Sequence, residues 1–127
     1  MNIIQTDKAP KAIGPYSQGI AHNGLVYTSG QIPLDPGTME IVGVDIKAQT
    51  RQVLSNLQQV LQASGSALDQ VIKTTCFLSD MNNFVAFNEV YAEFFGTHAP
   101  ARSCVEVARL PKDVLVEVEA IGIVVKS

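Results

Sequence analysis

The chain has 127 residues, 46% of them apolar and only 17% charged, with a net charge of −3. That size suits one domain spanning residues 1–127, and that composition excludes a disordered chain and a second catalytic domain. The acidic balance, with only three arginines, leaves no basic footprint for nucleic acid. No apolar run approaches the ~20 residues needed to cross a bilayer. The start, Met1–Lys11, lacks an apolar signal region. The expected setting is therefore cytoplasmic, with Cys76 and Cys104 reduced and no metal-type cysteine spacing.

Asn2–Gln5 reads as a short strand and Lys8–Pro15 as an extended loop. Tyr16–His22 and Leu25–Ile32 read as two strands, joined at Asn23-Gly24, a pair that tolerates the positive φ of a type I′ hairpin turn. Pro33–Gly43 is rich in proline and glycine and reads as a loop. Asp45 can cap a helix running from Ile46 to about Ser64, with Val53, Leu54, Leu57, Val60 and Leu61 on one face and Gly65 as the stop. Val71–Leu78 is β-branched and apolar, a strand. A second helix starts near Asn82 or Asn83, carries Phe84, Phe87, Tyr91, Phe94 and Phe95 on one side, and ends at Gly96. Ala101–Ala108 and Val114–Val125 read as two last strands around the turn Leu110–Asp113. The order ββαβαββ packs most simply as one sheet with two helices on one face, an α/β (α+β) arrangement.

The last strand tests this packing. Val114, Val116, Val118, Ala120, Gly122 and Val124 alternate on one face, small and apolar throughout, as a face under helices should be. The other face ends in Ile121, Ile123 and Val125, yet no third helix exists to cover it. A second subunit is the expected cover. With Val105 and Val107 placed toward the helices, Arg102, Cys104, Glu117 and Glu119 would all share the face opposite them. That expectation depends on register, since a one-residue slip moves every side chain across the sheet.

An arginine there can hold a carboxylate through two parallel hydrogen bonds, and a nearby glutamate can position or deprotonate a water. The competing role is a surface Arg–Glu ion pair worth ~0–1 kcal/mol. Cys104 reads as a small apolar strand residue rather than a nucleophile. His22 and His98 fall in turns and read as surface residues. Tyr16, Ser17, Ser29 and Ser103 offer hydroxyls, but no Ser/His/Asp triad assembles. Gly30 reads either as part of a plain bulge or as a point of close ligand approach. Glu89 and Glu93 read as a solvated face.

Several ordered segments carry a resemblance: Gly14-Pro15-Tyr16-Ser17-Gln18, Ser29-Gly30-Gln31-Ile32-Pro33, Asn88-Glu89-Val90-Tyr91, Pro100-Ala101-Arg102-Ser103-Cys104-Val105-Glu106-Val107, Leu110-Pro111-Lys112-Asp113 and Val116-Glu117-Val118-Glu119. Over about Ala9 to Val124 the chain resembles the RidA family (reactive intermediate deaminase A, also called YjgF). The resemblance implies a chorismate-mutase-like fold with one mainly antiparallel mixed sheet. It also implies a homotrimer with a barrel-like core and a ligand cleft between each pair of subunits. The implied activity is cofactor-free hydrolysis of 2-enamine and 2-imine acids, such as 2-aminoacrylate and 2-aminocrotonate, to 2-oxo acids and ammonia. Arg102 matches the arginine that holds the substrate carboxylate, and Glu117 the carboxylate that helps place water. Cys104, Tyr16, Ser29, Gly30 and Asn88 match other cleft positions. One position departs: Ala99 precedes Pro100 where many members carry an aromatic, which bears on the cleft wall. The alternative from another class is a 2-oxo-acid sensor or regulatory partner using the same arginine-lined cleft. An RNA-cleaving role is opposed by the acidic charge, and no residue points to a chaperone role.

Overall fold

Alternation along the last strand sets the layers. In the computed structural model, which describes residues 1–125, Val116, Val118 and Ala120 are buried beneath two helices, as the sequence predicts. The strands are β1 (Asn2–Ile4), β2 (Gly19–His22), β3 (Leu25–Thr28), β4 (Val71–Leu78), β5 (Ala101–Glu106) and β6 (Val116–Ile123). The helices are α1 (Ile46–Ala63), between β3 and β4, and α2 (Phe84–Phe95), between β4 and β5. The six strands form one sheet in the order β1-β2-β3-β6-β4-β5, antiparallel at every step except β4–β5.

Local chemistry explains the elements. Asn23 (φ 52°) and Gly24 (φ 81°) take the left-handed turn that joins β2 to β3. The Asp45 carboxylate accepts the Ala48 N–H at 2.8 Å and caps α1. At the other end, Ser66 N–H donates to Leu61 and Gly65 N–H to Gln62, the paired bonds of a Schellman stop, with Gly65 at φ 89°. Val53, Leu54, Leu57, Val60 and Leu61 are fully buried against the sheet. At about 1.5–3 kcal/mol for each buried aliphatic side chain, this stripe is the main hold of α1.

Three expectations change. Tyr16–Gln18 lies outside β2. Gln18 is buried and ties down the N-terminal segment instead, accepting the Thr6 N–H at 2.7 Å and donating to the Pro10 carbonyl at 2.8 Å. β3 stops at Thr28 rather than Ile32. Tyr27 pairs with Ile121 and Gln31 with Val118, so one extra residue is inserted and the Ser29–Gly30 stretch bulges. The Thr28 hydroxyl accepts the Ala120 N–H at 3.0 Å, filling the gap in the ladder.

The third change matters most. The last two strands are not a hairpin. β4 lies between them, and α2 is the crossover that lets β5 run parallel to β4. Register then pairs Arg102 with Thr74 and Cys104 with Cys76, and both partners are buried under the helices. Arg102 and Cys104 therefore face α2. Glu117 pairs with Phe77 and Glu119 with Thr75, on the opposite face. Val105 pairs with Phe77 and is exposed there, not turned to the helices. The expected single face carrying Arg102, Cys104, Glu117 and Glu119 does not exist within one chain.

The helix-free face presents a continuous row. Ile3, Ile20, Tyr27 and Ile121 are neighbours across four strands, followed by Lys73 and Ala101. Ile3 is 66% exposed and Tyr27 46%. Among the described residues no helix is long and apolar enough to cross a membrane.

Candidate active site

Two groups of side chains stand out, one on each face. The first surrounds Arg102. Its Nη1 donates to Asn88 Oδ1 at 2.8 Å, and its guanidinium carbon lies 4.7 Å from the Tyr91 ring centroid and 5.5 Å from that of Phe84. All three partners come from α2. Asn88 and Tyr91 are three residues apart, so a helix that presents one to Arg102 presents the other. The Tyr91 hydroxyl is held by Thr74 Oγ1 at 2.7 Å, which fixes the ring under the cation.

Arg102 differs from the other two arginines. Arg51 pairs with Glu93 and Arg109 with Asp113. Arg102 is half-buried, and its hydrogen-bond partner is a neutral amide. Among the described residues it has no carboxylate partner, so the ion-pair role is not the one it fills. A guanidinium has five N–H donors. A half-buried cation with free donors and aromatic walls is built to receive an anion, and its fork matches a carboxylate.

Cys104 lies two residues on, facing the same way and half-buried. Burial pushes its thiol above the usual range, partly offset by the Arg102 charge. Its neighbour Cys76 is buried and pushed up to about 12, chiefly by desolvation. Both are protonated thiols near neutrality, which fits a lining role and not a nucleophile.

The second group lies around the β3 bulge. A Cβ added at Gly30 would overlap Glu117 Oε2 and come within 2.8 Å of its Cδ. The glycine is there because the Glu117 side chain lies over it. Ser29 donates through Oγ to the Ser17 carbonyl, and its N–H donates to the Gln18 carbonyl at 2.9 Å. These bonds hold the Tyr16–Gln18 segment beside the bulge. Tyr16, 51% exposed, lines a small cavity of about 50 Å³ together with Gly30.

Glu117 is half-buried, and its carboxyl is raised above its ordinary 4.5, first by desolvation and then by the Glu119 charge. The neutral form is favoured in the folded state, so this group's contribution to stability is fully present below pH 4.5 and is lost as pH rises through the raised value. Glu117→Gln is expected to gain stability relative to wild type as pH rises above 4.5. Thermal unfolding of both proteins across that range reads the difference. A constant offset would contradict the strained carboxylate.

The structure thus brings Asn88, Arg102 and Cys104 together, and separately brings Tyr16, Ser29, Gly30 and Glu117 together. It does not join the two groups in one chain. Arg102 and Glu117 are two strands and three residues apart, about 10 Å in each direction, and point to opposite faces. The sequence alone places Tyr91 among the core aromatics of the second helix. Its spacing from Asn88 was the available signal. His98 is not a free surface residue, because its Nε2 bonds the Val71 carbonyl at 2.6 Å. Ser103 faces away from α2 and accepts from Lys73 at 3.3 Å.

Known proteins share this arrangement of chain. The family described as Endoribonuclease L-PSP matches residues 6–124. A RutC family protein of Pyrococcus horikoshii is 59% identical over 120 residues, covering 94% of this chain and 95% of that protein. The 2-iminobutanoate/2-iminopropanoate deaminase of Salmonella typhimurium is 50% identical over 123 residues, covering 94% and 95%. A crystal structure of a protein of unknown function from Yersinia pestis, of the conserved Rid protein family, superposes with a TM-score of 0.94 at 52% identity, covering 97% and 98%.

Proposed function

The chain belongs to the Endoribonuclease L-PSP family, which takes in the Rid and RutC proteins it matches, and from that membership we propose that it is a cofactor-free deaminase of 2-enamine and 2-imine acids. The observation that carries this reading is Arg102, a half-buried cation whose protein partner is neutral. The 50% identity to a named 2-iminobutanoate/2-iminopropanoate deaminase supports it.

The proposed reaction follows from the residues. The substrate carboxylate takes the free N–H donors of Arg102. An enamine takes a proton from solvent at C3 and becomes the iminium, the protonated imine. Water adds to C2, and the resulting carbinolamine expels ammonia to leave the 2-oxo acid. Glu117 accepts the proton of the attacking water and returns one to the departing nitrogen. Its raised pKa makes it a stronger base than an exposed glutamate, and such acid–base help is worth ~10²–10⁴-fold.

Because Arg102 and Glu117 lie on opposite faces, one cleft can use both only if two copies contribute. In the proposed homotrimer the helix-free sheet faces meet, and each cleft takes Arg102, Asn88 and Cys104 from one copy and Glu117, Gly30, Ser29 and Tyr16 from the next. The apolar row through Ile20, Tyr27 and Ile121 supports this cover. Ile121→Glu is expected to give monomers by sedimentation and to lose activity with them. A stable trimer in that variant would contradict the packing.

The test of the reading is 2-oxo acid release from 2-aminocrotonate and 2-aminoacrylate generated in situ by a threonine dehydratase. Acceleration over the spontaneous rate is expected. No acceleration, with a 2-oxo acid still binding at Arg102, would favour the sensor reading.

A further inference from the structure

Along α2 the aromatic residues are phenylalanines except at Tyr91, the ring beneath Arg102. That ring packs between Phe87 and Phe95, with centroids 5.6 and 4.6 Å away. Packing alone would accept a phenylalanine there. Thr74 is a similar case. It is fully buried on β4, on a face it shares with the buried Cys76 and Leu78. A valine of nearly the same shape would fill that space with no polar group to satisfy. The core needs neither hydroxyl, and the two bond each other at 2.7 Å.

Their place in the sheet gives the reason. Thr74 is the strand partner of Arg102. Paired strands lie about 4.8 Å apart, so the backbone that carries the guanidinium starts beside Thr74. One residue thereby sets the base of the Arg102 side chain and, through Tyr91, the ring it rests on, 4.7 Å from the guanidinium carbon. Among the described residues the Cys76 thiol, at 3.9 Å, is the only other polar group on the Thr74 hydroxyl. Burial raises the Tyr91 phenol above its usual range, so the pair stays neutral.

We propose that Thr74 is a positioning residue for the anion site: its hydroxyl, through Tyr91, holds the Arg102 guanidinium at the angle where its free donors meet the substrate carboxylate. The proposal rests on the deaminase reading for its substrate and on the Thr74–Tyr91–Arg102 stack for its geometry. A long side chain binds better when its direction is fixed beforehand. The carboxylate is not the reacting group, so it is held alike before and during the reaction. A tilted guanidinium therefore weakens both stages, and KM carries the effect rather than kcat.

The test measures 2-aminocrotonate hydrolysis and thermal unfolding in Thr74→Val, Thr74→Ser, Tyr91→Phe and the double variant Thr74→Val/Tyr91→Phe. Thr74→Val leaves the Tyr91 hydroxyl buried without a partner and sets a methyl against it, so the ring shifts. KM is expected to rise about three- to tenfold, with kcat within about twofold of wild type. Thr74→Ser keeps the hydroxyl and loses a buried methyl. It is expected to melt below wild type with KM unchanged. Adding Tyr91→Phe to Thr74→Val removes the stranded hydroxyl and is expected to bring KM back to that of Tyr91→Phe alone. A role in stability alone would instead lower the active fraction, and so kcat, in step with melting temperature, and leave KM fixed. Wild-type KM in Thr74→Val, an equal rise in Thr74→Ser, or additive effects in the double variant would overturn the proposal. Calorimetric binding of 2-oxobutanoate separates this from failure of the deaminase reading. If no imine is hydrolysed, binding weakened in Thr74→Val and retained in Thr74→Ser still supports the positioning role. Equal binding in the two variants, or none by wild type, would overturn it.

Discussion

Arg102→Ala is expected to lower kcat/KM for 2-aminocrotonate hydrolysis by about a thousandfold while leaving the chain folded. Removing one partner of a desolvated, hydrogen-bonded charge pair costs about 2–5 kcal/mol, and a thousandfold loss, about 4 kcal/mol, falls in the upper half of that range. The fold depends much less on the same side chain. Within the protein Arg102 makes one hydrogen bond, to a neutral amide, and stacks on Tyr91 and Phe84. Its removal is expected to cost about 1–2 kcal/mol of stability. Arg102→Lys keeps the charge but loses the planar fork, so an intermediate loss of about ten- to a hundredfold is expected. Steady-state kinetics beside urea unfolding separates the two effects. A variant as active as wild type would remove the anchor from the account.

The second large effect is expected at Gly30. A methyl group there would occupy the position of Glu117 Oε2, with Glu117 Cγ only 3.0 Å away. Something must move, and the half-buried carboxylate is the free end. Gly30→Ala is expected to lose about a hundredfold in kcat, since a displacement near 1 Å at a reacting group costs about that much. It is also expected to lose about 1–3 kcal/mol of stability from overpacking. Adding Glu117→Ala should restore most of the stability and none of the activity, because the methyl then enters the vacated space. That non-additivity is the signature of direct contact. Independent, additive effects in this cycle would show that Gly30 and Glu117 do not meet in solution.

The elements were legible where local chemistry decides them. The Asn23-Gly24 turn, the Asp45 cap, the stripe from Val53 to Leu61 and the buried face of Val116–Ala120 all follow from neighbouring residues. What the sequence could not show was which strand lies beside which. Alternation in Ala101–Val107 says that two faces exist, not which one meets α2. That choice depends on β4 inserting between β5 and β6, a contact between distant segments. Placing Val105 inward was reasonable for an apolar residue and wrong, because the crossover turns the half-buried Arg102 and Cys104 toward the helix instead. The bulge at Ser29–Gly30 was hidden for a similar reason. The clearance that Gly30 provides is for a side chain 87 positions along the chain. The resemblance singles out Arg102, Asn88, Cys104 and Glu117 as candidates, whereas Tyr91, whose ring lies under the Arg102 guanidinium, is hidden among the aromatics of the core.

This correction also changes the site. Had Arg102 and Glu117 shared a face, one chain could have held the substrate and placed the water. On opposite faces, they need two copies. The measurement that tests this most directly mixes Arg102→Ala and Glu117→Ala chains, unfolds them together and refolds them in equal amounts. In a ring of three, each mixed trimer contains one cleft with Arg102 from one copy and Glu117 from the next. Random assembly then predicts recovery of about a quarter of wild-type activity from two chains that are each inactive alone. No recovery, with mixed trimers shown to form, would contradict a cleft shared between copies.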